Sequence, residues 1–171
     1  MGIILRDYAE ADGPGVNEVA KAAWQQFRPH YSDEGWRGIS SFVSELSTLS
    51  ADGEMIVAEA DGGIIGCVTY IGPGRPKHDF FDATWAVMRM LVVAPEARGK
   101  GAGRALAEEC LKRGLRDGAD MFALHTTPMM ADALALYGRM GFIFLRPTPD
   151  IYGIPYGVYL KTVLRPWPAK P

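Results

Sequence analysis

Apolar and polar positions along this chain follow two periods, and the switches between them mark out the elements. Ile3 to Leu5 before Arg6 and Asp7 predicts a short strand. Val16, Val19, Ala20, Ala23 and Phe27 then recur at helical spacing, with Asp12 as the candidate cap and Pro14 in the first turn. After a break at Arg28-Pro29-His30, Asp33 is placed to cap a second helix that carries Trp36, Ile39, Phe42, Val43, Leu46 and Leu49 on one face. The β-branched runs 55–60 and 64–71 flank Asp61-Gly62-Gly63 and predict a hairpin. Pro and Gly make 72–82 a loop. The run 84–93, apolar except for Thr84 and Arg89, suits a central strand covered on both faces.

In the second half, Ala102, Leu106, Ala107, Cys110, Leu111 and Leu115 give a helix over 101–117 a broad apolar face. Glu108 with Lys112 and Glu109 with Arg113 supply its exposed i,i+4 pairs. Residues 121–126 read as a strand. Met130, Ala133, Leu134 and Tyr137 predict a short helix that Gly141 closes. Two last strands, 142–145 and 157–163, are expected to enclose a loop from Arg146 to Pro155. No linker or repeat divides the chain, so one domain over 1–171 is expected.

Composition narrows the function classes. With 48% hydrophobic and 22% charged residues, the chain has the makings of a soluble core and lacks the signature of disorder. A net charge of −2 lacks the basic excess of a nucleic-acid or anionic-membrane binder, so neither partner is expected. No run of about 18 uncharged apolar residues and no secretory signal is visible. Cys67 and Cys110 lack CxxC spacing and there are three His, which argues for buried thiols in a cytoplasmic protein rather than a disulfide or a metal site.

The most informative stretch joins the 84–93 strand to the next helix. Gly99, Gly101 and Gly103 stand at alternate positions there, and glycines let consecutive N–H groups converge at a helix N-terminus, where the dipole favours an anion. Arg98, Lys100 and Arg104 add cations, so the segment reads as a pyrophosphate site. It is neither a Walker A loop, since no glycine precedes Lys-Ser or Lys-Thr, nor a GxGxxG dinucleotide loop, since position 104 is Arg.

With the element order, the segment RGKGAGR and the later LYGRMGF in view, the chain resembles the GNAT family of acetyl-CoA-dependent N-acetyltransferases. The likeness runs over 3–163 and is most specific over 90–145. Arg98, Gly101 and Gly103 match the family's pyrophosphate pattern, Val93-Ala94-Pro95 the preceding Val-x-Pro, and Leu136 to Phe142 the LYxxxGF pattern. The resemblance implies a single α/β domain with a mixed, mostly antiparallel sheet of about seven strands, flanked by helices and with a splayed central strand. It implies acetyl-CoA as cosubstrate, its pantetheine arm paired with the backbone of Leu91, Val92 and Val93. Its pyrophosphate would be held by the amides of Gly99, Lys100, Gly101, Ala102, Gly103 and Arg104 beside Arg98. The strand would part from its neighbour around Arg89 to Leu91. Met130 stands where members often carry Asn, which leaves an apolar contact in place of a hydrogen bond.

Acetyl transfer to an amine needs a base, an oxyanion donor and an acid for the leaving thiolate. The resemblance gives the acid's role to Tyr137, and an amide near Met90 or Leu91 can serve the oxyanion. Residues 84–93 contain no carboxylate, and His125 stands where some members place a Glu, so it is the candidate base, with Asp79, Asp82 and His78 as alternatives. Trp24, Phe27, His30, Tyr31, Trp36, Phe80, Phe81, Tyr152 and Tyr156 are candidates for the acceptor pocket. Asp33, Glu34, Asp79 and Asp150 would line its mouth. The expected activity is acetylation of a small-molecule amine. A protein N-terminus or lysine as acceptor is the rival, as is a CoA-binding sensor without turnover, and a homodimer is the family's precedent.

Overall fold

The computed structural model describes residues 2–163. In chain order they form β1 (Ile4–Asp7), α1 (Gly13–Trp24), α2 (Asp33–Ser44), β2 (Glu54–Ala60), β3 (Gly63–Ile71), β4 (Ala86–Val93), α3 (Ala102–Arg116), β5 (Met121–Thr126), α4 (Ala131–Arg139), β6 (Ile143–Ile151) and β7 (Ile154–Thr162). The seven strands make one sheet in the order β1-β2-β3-β4-β5-β7-β6, antiparallel everywhere except between β4 and β5. This is a single α/β domain. No helix among the described residues is long and apolar enough to cross a membrane.

Period-two alternation divides the core between the two faces of the sheet. Val57 and Cys67 pack with Val16, Ala20, Val43 and Leu46 beneath α1 and α2. Their neighbours Ile56 and Val68 point the other way, to Leu106 and Cys110 of α3 and to Phe122. Both cysteines are free and buried, and burial pushes the Cys67 thiol up to about 12, so neither is a nucleophile at neutral pH.

Three local expectations are corrected. Asp12 does not cap α1: its carboxylate takes two hydrogen bonds from Arg6, at 2.7 and 2.9 Å, and one from the Ala9 amide, which hold it below the usual carboxylate range. Ser32 rather than Asp33 caps α2, its Oγ accepting from the Gly35 amide at 3.1 Å, while Asp33 pairs with Arg28. Arg146 to Pro155 is not a loop. β6 runs through Pro147 and Pro149 to Ile151, and Tyr152 (φ +50) and Gly153 (φ +78) turn it directly into β7. Prolines suggest a loop because they cannot donate to a ladder, but β6 is the edge strand and one of its sides has no ladder to supply.

The feature that positions the site is the parting of β4 from β5. Their parallel pairing covers only Ala86–Met88 against Phe122–Leu124. On the other side, Thr69 pairs with Arg89 and Cys67 with Val92, so β4 carries one residue more than β3 across this step. That is a bulge, and Met90 adopts φ +54 within it. β4 therefore bends away from β5 at Arg89 to Leu91, in agreement with the expected splay.

Candidate functional site

The opening between β4 and β5 is the floor of a cleft of about 1500 Å³. Arg89 to Val93 keep β3 on one side only, and Met90 and Leu91 lie outside both ladders. A polar backbone edge thus faces the cleft and calls for an extended ligand that can pair with it as a strand would.

At one end of that edge, the turn from β4 leads to the N-terminus of α3. Gly99 has φ +73 and Gly101, which caps α3, has φ +92. These are left-handed conformations that side chains resist, and they aim the turn's amides toward the helix end. The first amides of α3, from Ala102 to Arg104, have no partner within the helix. A Cβ on Gly103 would meet only ordinary contacts, at 3.6 Å to Val93 and 3.7 Å to Leu136, so this position selects a small residue rather than glycine itself. Amides, dipole and glycine conformation together fit a pyrophosphate.

The cations contribute less than their proximity in sequence implies. Arg98 lines the cleft, but its guanidinium donates to the Ala23 carbonyl at the end of α1, at 3.2 Å. Arg104 also lines the cleft and is bonded to Glu108 at 2.7 Å, so Glu108 pairs with Arg104 and not with Lys112. Lys100 is exposed and outside the lining.

Tyr137 reaches the cleft from α4, on the far side of the opening. Its ring packs edge-on against Phe142, with centroids 5.9 Å apart, and burial holds the phenol well above its usual range. The hydroxyl is therefore a protonated donor throughout the physiological range, with no hydrogen-bond partner among the described residues. Met130, at the head of α4, lines the same wall, 3.8 Å from the Thr126 hydroxyl through its sulfur.

His125, on β5, stands in a row of rings. Phe80 lies 4.6 Å and Tyr156 4.8 Å from its centroid, and His78 stacks on Phe80 at 5.0 Å. Its Nε2 shares a hydrogen bond of 2.6 Å with the Thr148 hydroxyl on β6. Burial first, then the nearby positive groups His78 and Arg89, press its pKa down to about 4. The imidazole is thus neutral at pH 7. The tautomer that donates Nε2–H to Thr148 leaves Nδ1 with a free lone pair.

This depression fixes a pH dependence. An imidazole in the unfolded chain titrates near 6.5, so between about 4 and 6.5 the unfolded state binds more protons at this position. The stability that His125 contributes is complete above that window and is lost as pH falls through it. His125→Phe should lose less unfolding free energy than the parent between pH 7 and pH 5, measured by urea denaturation at both. Equal losses would mean that His125 is not held neutral.

Of the other candidates, His78 and Asp79 line the cleft, whereas Asp82 does not. Its carboxylate is tied to the Thr84 amide and hydroxyl at 2.8 and 2.6 Å. Trp24, Phe27, Phe80, Phe81, Tyr152 and Tyr156 line it, as does Asp150. His30, Tyr31 and Trp36 fall outside, Tyr31 and Trp36 packing on each other at 6.2 Å, and Asp33 and Glu34 are also outside. The lining also includes positions that are not among the sequence candidates, such as Ile39 and Phe42 on α2, and Arg89, which pairs with Asp52 at 3.3 Å. Arg89 carries a signal, as the one charge in an otherwise uncharged strand.

The sequence profile of the Acetyltransferase (GNAT) family matches residues 16–142. Among solved structures, the PaiA N-acetyltransferase of Thermoplasma acidophilum in complex with coenzyme A is similar at a TM-score of 0.75 and 22% identity, covering 95% of this chain and 99% of that one. A structure described as histone acetyltransferase HPA2 and related acetyltransferase, from Corynebacterium glutamicum, matches at 0.71 and 22% identity over 97% of this chain and 99% of that one. The ribosomal-protein-S18-alanine N-acetyltransferase of Escherichia coli matches at 0.69 and 16% identity over 98% and 97%. At these identities the likeness is one of fold. A search of curated proteins finds no match.

Proposed function

Because the chain belongs to the GNAT family of acetyltransferases, we propose that it moves the acetyl group of acetyl-CoA to the primary amine of a small molecule. The observation that carries this reading is the meeting, in one cleft, of a glycine-shaped anion site, an unpaired strand edge and a protonated phenol. When bound, acetyl-CoA supplies an activated thioester. The amides of Gly99 and Gly101 to Arg104 hold its pyrophosphate, and the backbone of Leu91 to Val93 orients the pantetheine arm.

The chain's own groups then divide the chemistry. An alkylammonium needs about 4.6 kcal/mol to lose its proton at pH 7, and because burial leaves His125 too weak a base to keep that proton, its imidazole serves as a relay that passes the proton through water to solvent. The amine nitrogen bonds to the carbonyl carbon, and an amide of the bulge at Met90 or Leu91 donates to the oxyanion. As the carbon–sulfur bond breaks, Tyr137 gives its hydrogen bond, and then its proton, to the sulfur, and is restored by a proton from solvent. Burial raises the phenol's affinity for its proton, so the transfer proceeds to the extent that the departing thiolate is desolvated as well.

Thermal shift tests the cofactor class. Acetyl-CoA and CoA at about a hundred times their dissociation constant should add roughly 2.7 kcal/mol to the native state, a rise of several degrees in Tm. NAD should add nothing. Stabilisation by NAD but not by CoA would overturn the reading.

A further inference from the structure

From the end of β3 to the start of β4 the chain runs without helix or strand, and the cleft depends on where this stretch lands. His78 to Phe81 line the cleft, with Phe80 4.6 Å from the His125 ring and Phe81 edge-on to it at 6.5 Å. Phe81 is buried among Ile71, Val87, Ala123 and Val158, which fixes the far part of the stretch. From Pro73 to Phe80, however, no residue is fully buried, so packing does not set the course of the chain there. Polar ties take its place. Arg146 of β6 donates to the Phe80 carbonyl at 2.7 Å, and Lys77 reaches back across the base of the loop.

The Lys77 ammonium donates to the carbonyls of Gly72 at 3.2 Å, Arg75 at 3.0 Å and Ala83 at 3.1 Å. An ammonium carries three N–H donors, and each has an acceptor here. Gly72 follows β3 and Ala83 precedes β4, so one charge draws the two ends of the loop together. Beside it the Gly74 amide donates to the same Ala83 carbonyl at 2.7 Å. Partial burial lowers the ammonium's affinity for its proton, against the pull of Asp82, as expected of a cation held by backbone dipoles more than by water. We propose that Lys77 is a positioning residue of the acetyl-transfer site: caged by these carbonyls, it holds the loop in the course that lays Phe80 over the His125 imidazole and keeps water from it. This rests on the reading of His125 as the relay for the amine's proton and deepens it. The other groups around that imidazole are His78 on the loop, Arg89 of β4, Thr148 of β6 and Tyr156 of β7, with Asp79 and Asp52 bearing on His78. Lys77 acts on it through Phe80.

The test reads the imidazole itself, so it does not depend on turnover. His125 is titrated by NMR in the full-length parent, in Lys77→Met, Lys77→Gln and Phe80→Ala, and in the double variant Lys77→Met with Phe80→Ala, its resonance identified by its loss in His125→Phe. In the parent it should titrate at about 4. Lys77→Met and Lys77→Gln should each raise its affinity for a proton at least tenfold, toward that of an uncovered imidazole, and Phe80→Ala should do the same. With Phe80 already removed, Lys77→Met should change that affinity less than threefold, because the ring that Lys77 positions is gone. In the transfer assay the two Lys77 variants should gain an acidic limb at a higher pH than the parent, with the KM for acetyl-CoA within twofold. An unmoved His125 in both Lys77 variants overturns the proposal, even where Tm falls, since Lys77 is then a structural tie alone. So does a tenfold change that persists in the double variant, which is the signature of a lost charge acting through space. A parent whose His125 behaves as expected but which acetylates no amine overturns the proposed function and leaves the hold of Lys77 on Phe80 standing.

Discussion

Replacing Tyr137 by Phe is expected to lower kcat at least tenfold while the KM for acetyl-CoA stays within about twofold. The substitution removes one oxygen from a ring held in place by Phe142 and by the α4 wall, so the shape of the cleft is kept. What disappears is the donor to sulfur, needed only as the carbon–sulfur bond breaks. A proton donor acting in the transition state typically contributes 10²–10⁴-fold, and the floor of tenfold allows for water replacing the phenol. An interaction made only in the transition state lowers kcat and kcat/KM together, and that joint fall is the signature to measure in steady-state assays. An unchanged kcat would remove Tyr137 from the chemistry and leave it as a core aromatic.

The second large effect is expected at Gly101, and it should appear in cofactor affinity. Gly101 holds φ +92 at the cap of α3, and a Cβ there meets no atom within 4 Å, so space is not the obstacle. The cost is conformational. A β-branched residue in this region is strained by about 1–3 kcal/mol, and the turn relieves that strain by rotating its amides away from the anion. Gly101→Val should weaken CoA binding at least tenfold by calorimetry, with Tm of the free protein falling by only a few degrees. Gly103→Ala is the control. A methyl group at that position makes ordinary contacts and its φ is not left-handed, so the variant should bind CoA almost as the parent does. Equal losses in the two variants would show that bulk and not backbone conformation matters in this turn.

The fold and the cofactor end of the site are legible in the sequence because local rules govern them. The strand and helix periods locate β2 to β5 and α1 to α4, although α2 ends at Ser44 and the expected Leu46 and Leu49 lie in a separate turn after it, and the alternate glycines signal an unusual backbone ahead of a helix. Helix caps are less legible. Asp12 is drawn away by Arg6 on β1, which only the folded chain brings to it, whereas Ser32 bonds the amide three residues on, so the sequence offers Ser32 and Asp33 as adjacent caps without choosing between them. The acceptor side misleads for a nonlocal reason. Pro147 and Pro149 argue against a central strand, and nothing nearby states that β6 is an edge, so Thr148, Asp150 and Tyr152 read as loop residues although they stand on a strand and its turn. The aromatic residues can be named from sequence but not sorted, since Phe80 facing the cleft and Trp36 packed on Tyr31 differ only in tertiary placement.

His125, as the proposed base, differs from an ordinary imidazole. A base with a pKa near 6.5 would give an acidic limb near neutrality. One held near 4 by burial among Phe80, Phe81 and Tyr156 is unprotonated across the physiological range, so the proposed reaction would show no acidic limb near neutrality from this group.

Acetyl transfer in this cleft is tested most directly by following the label from acetyl-CoA carrying carbon-13 in its acetyl group, incubated with a panel of small primary amines. The parent should release free CoA thiol and an N-acetylated amine in equal amounts, with Tyr137→Phe at least tenfold slower in both. Tight CoA binding without any labelled product, or thiol release that yields only acetate, would contradict transfer to an amine.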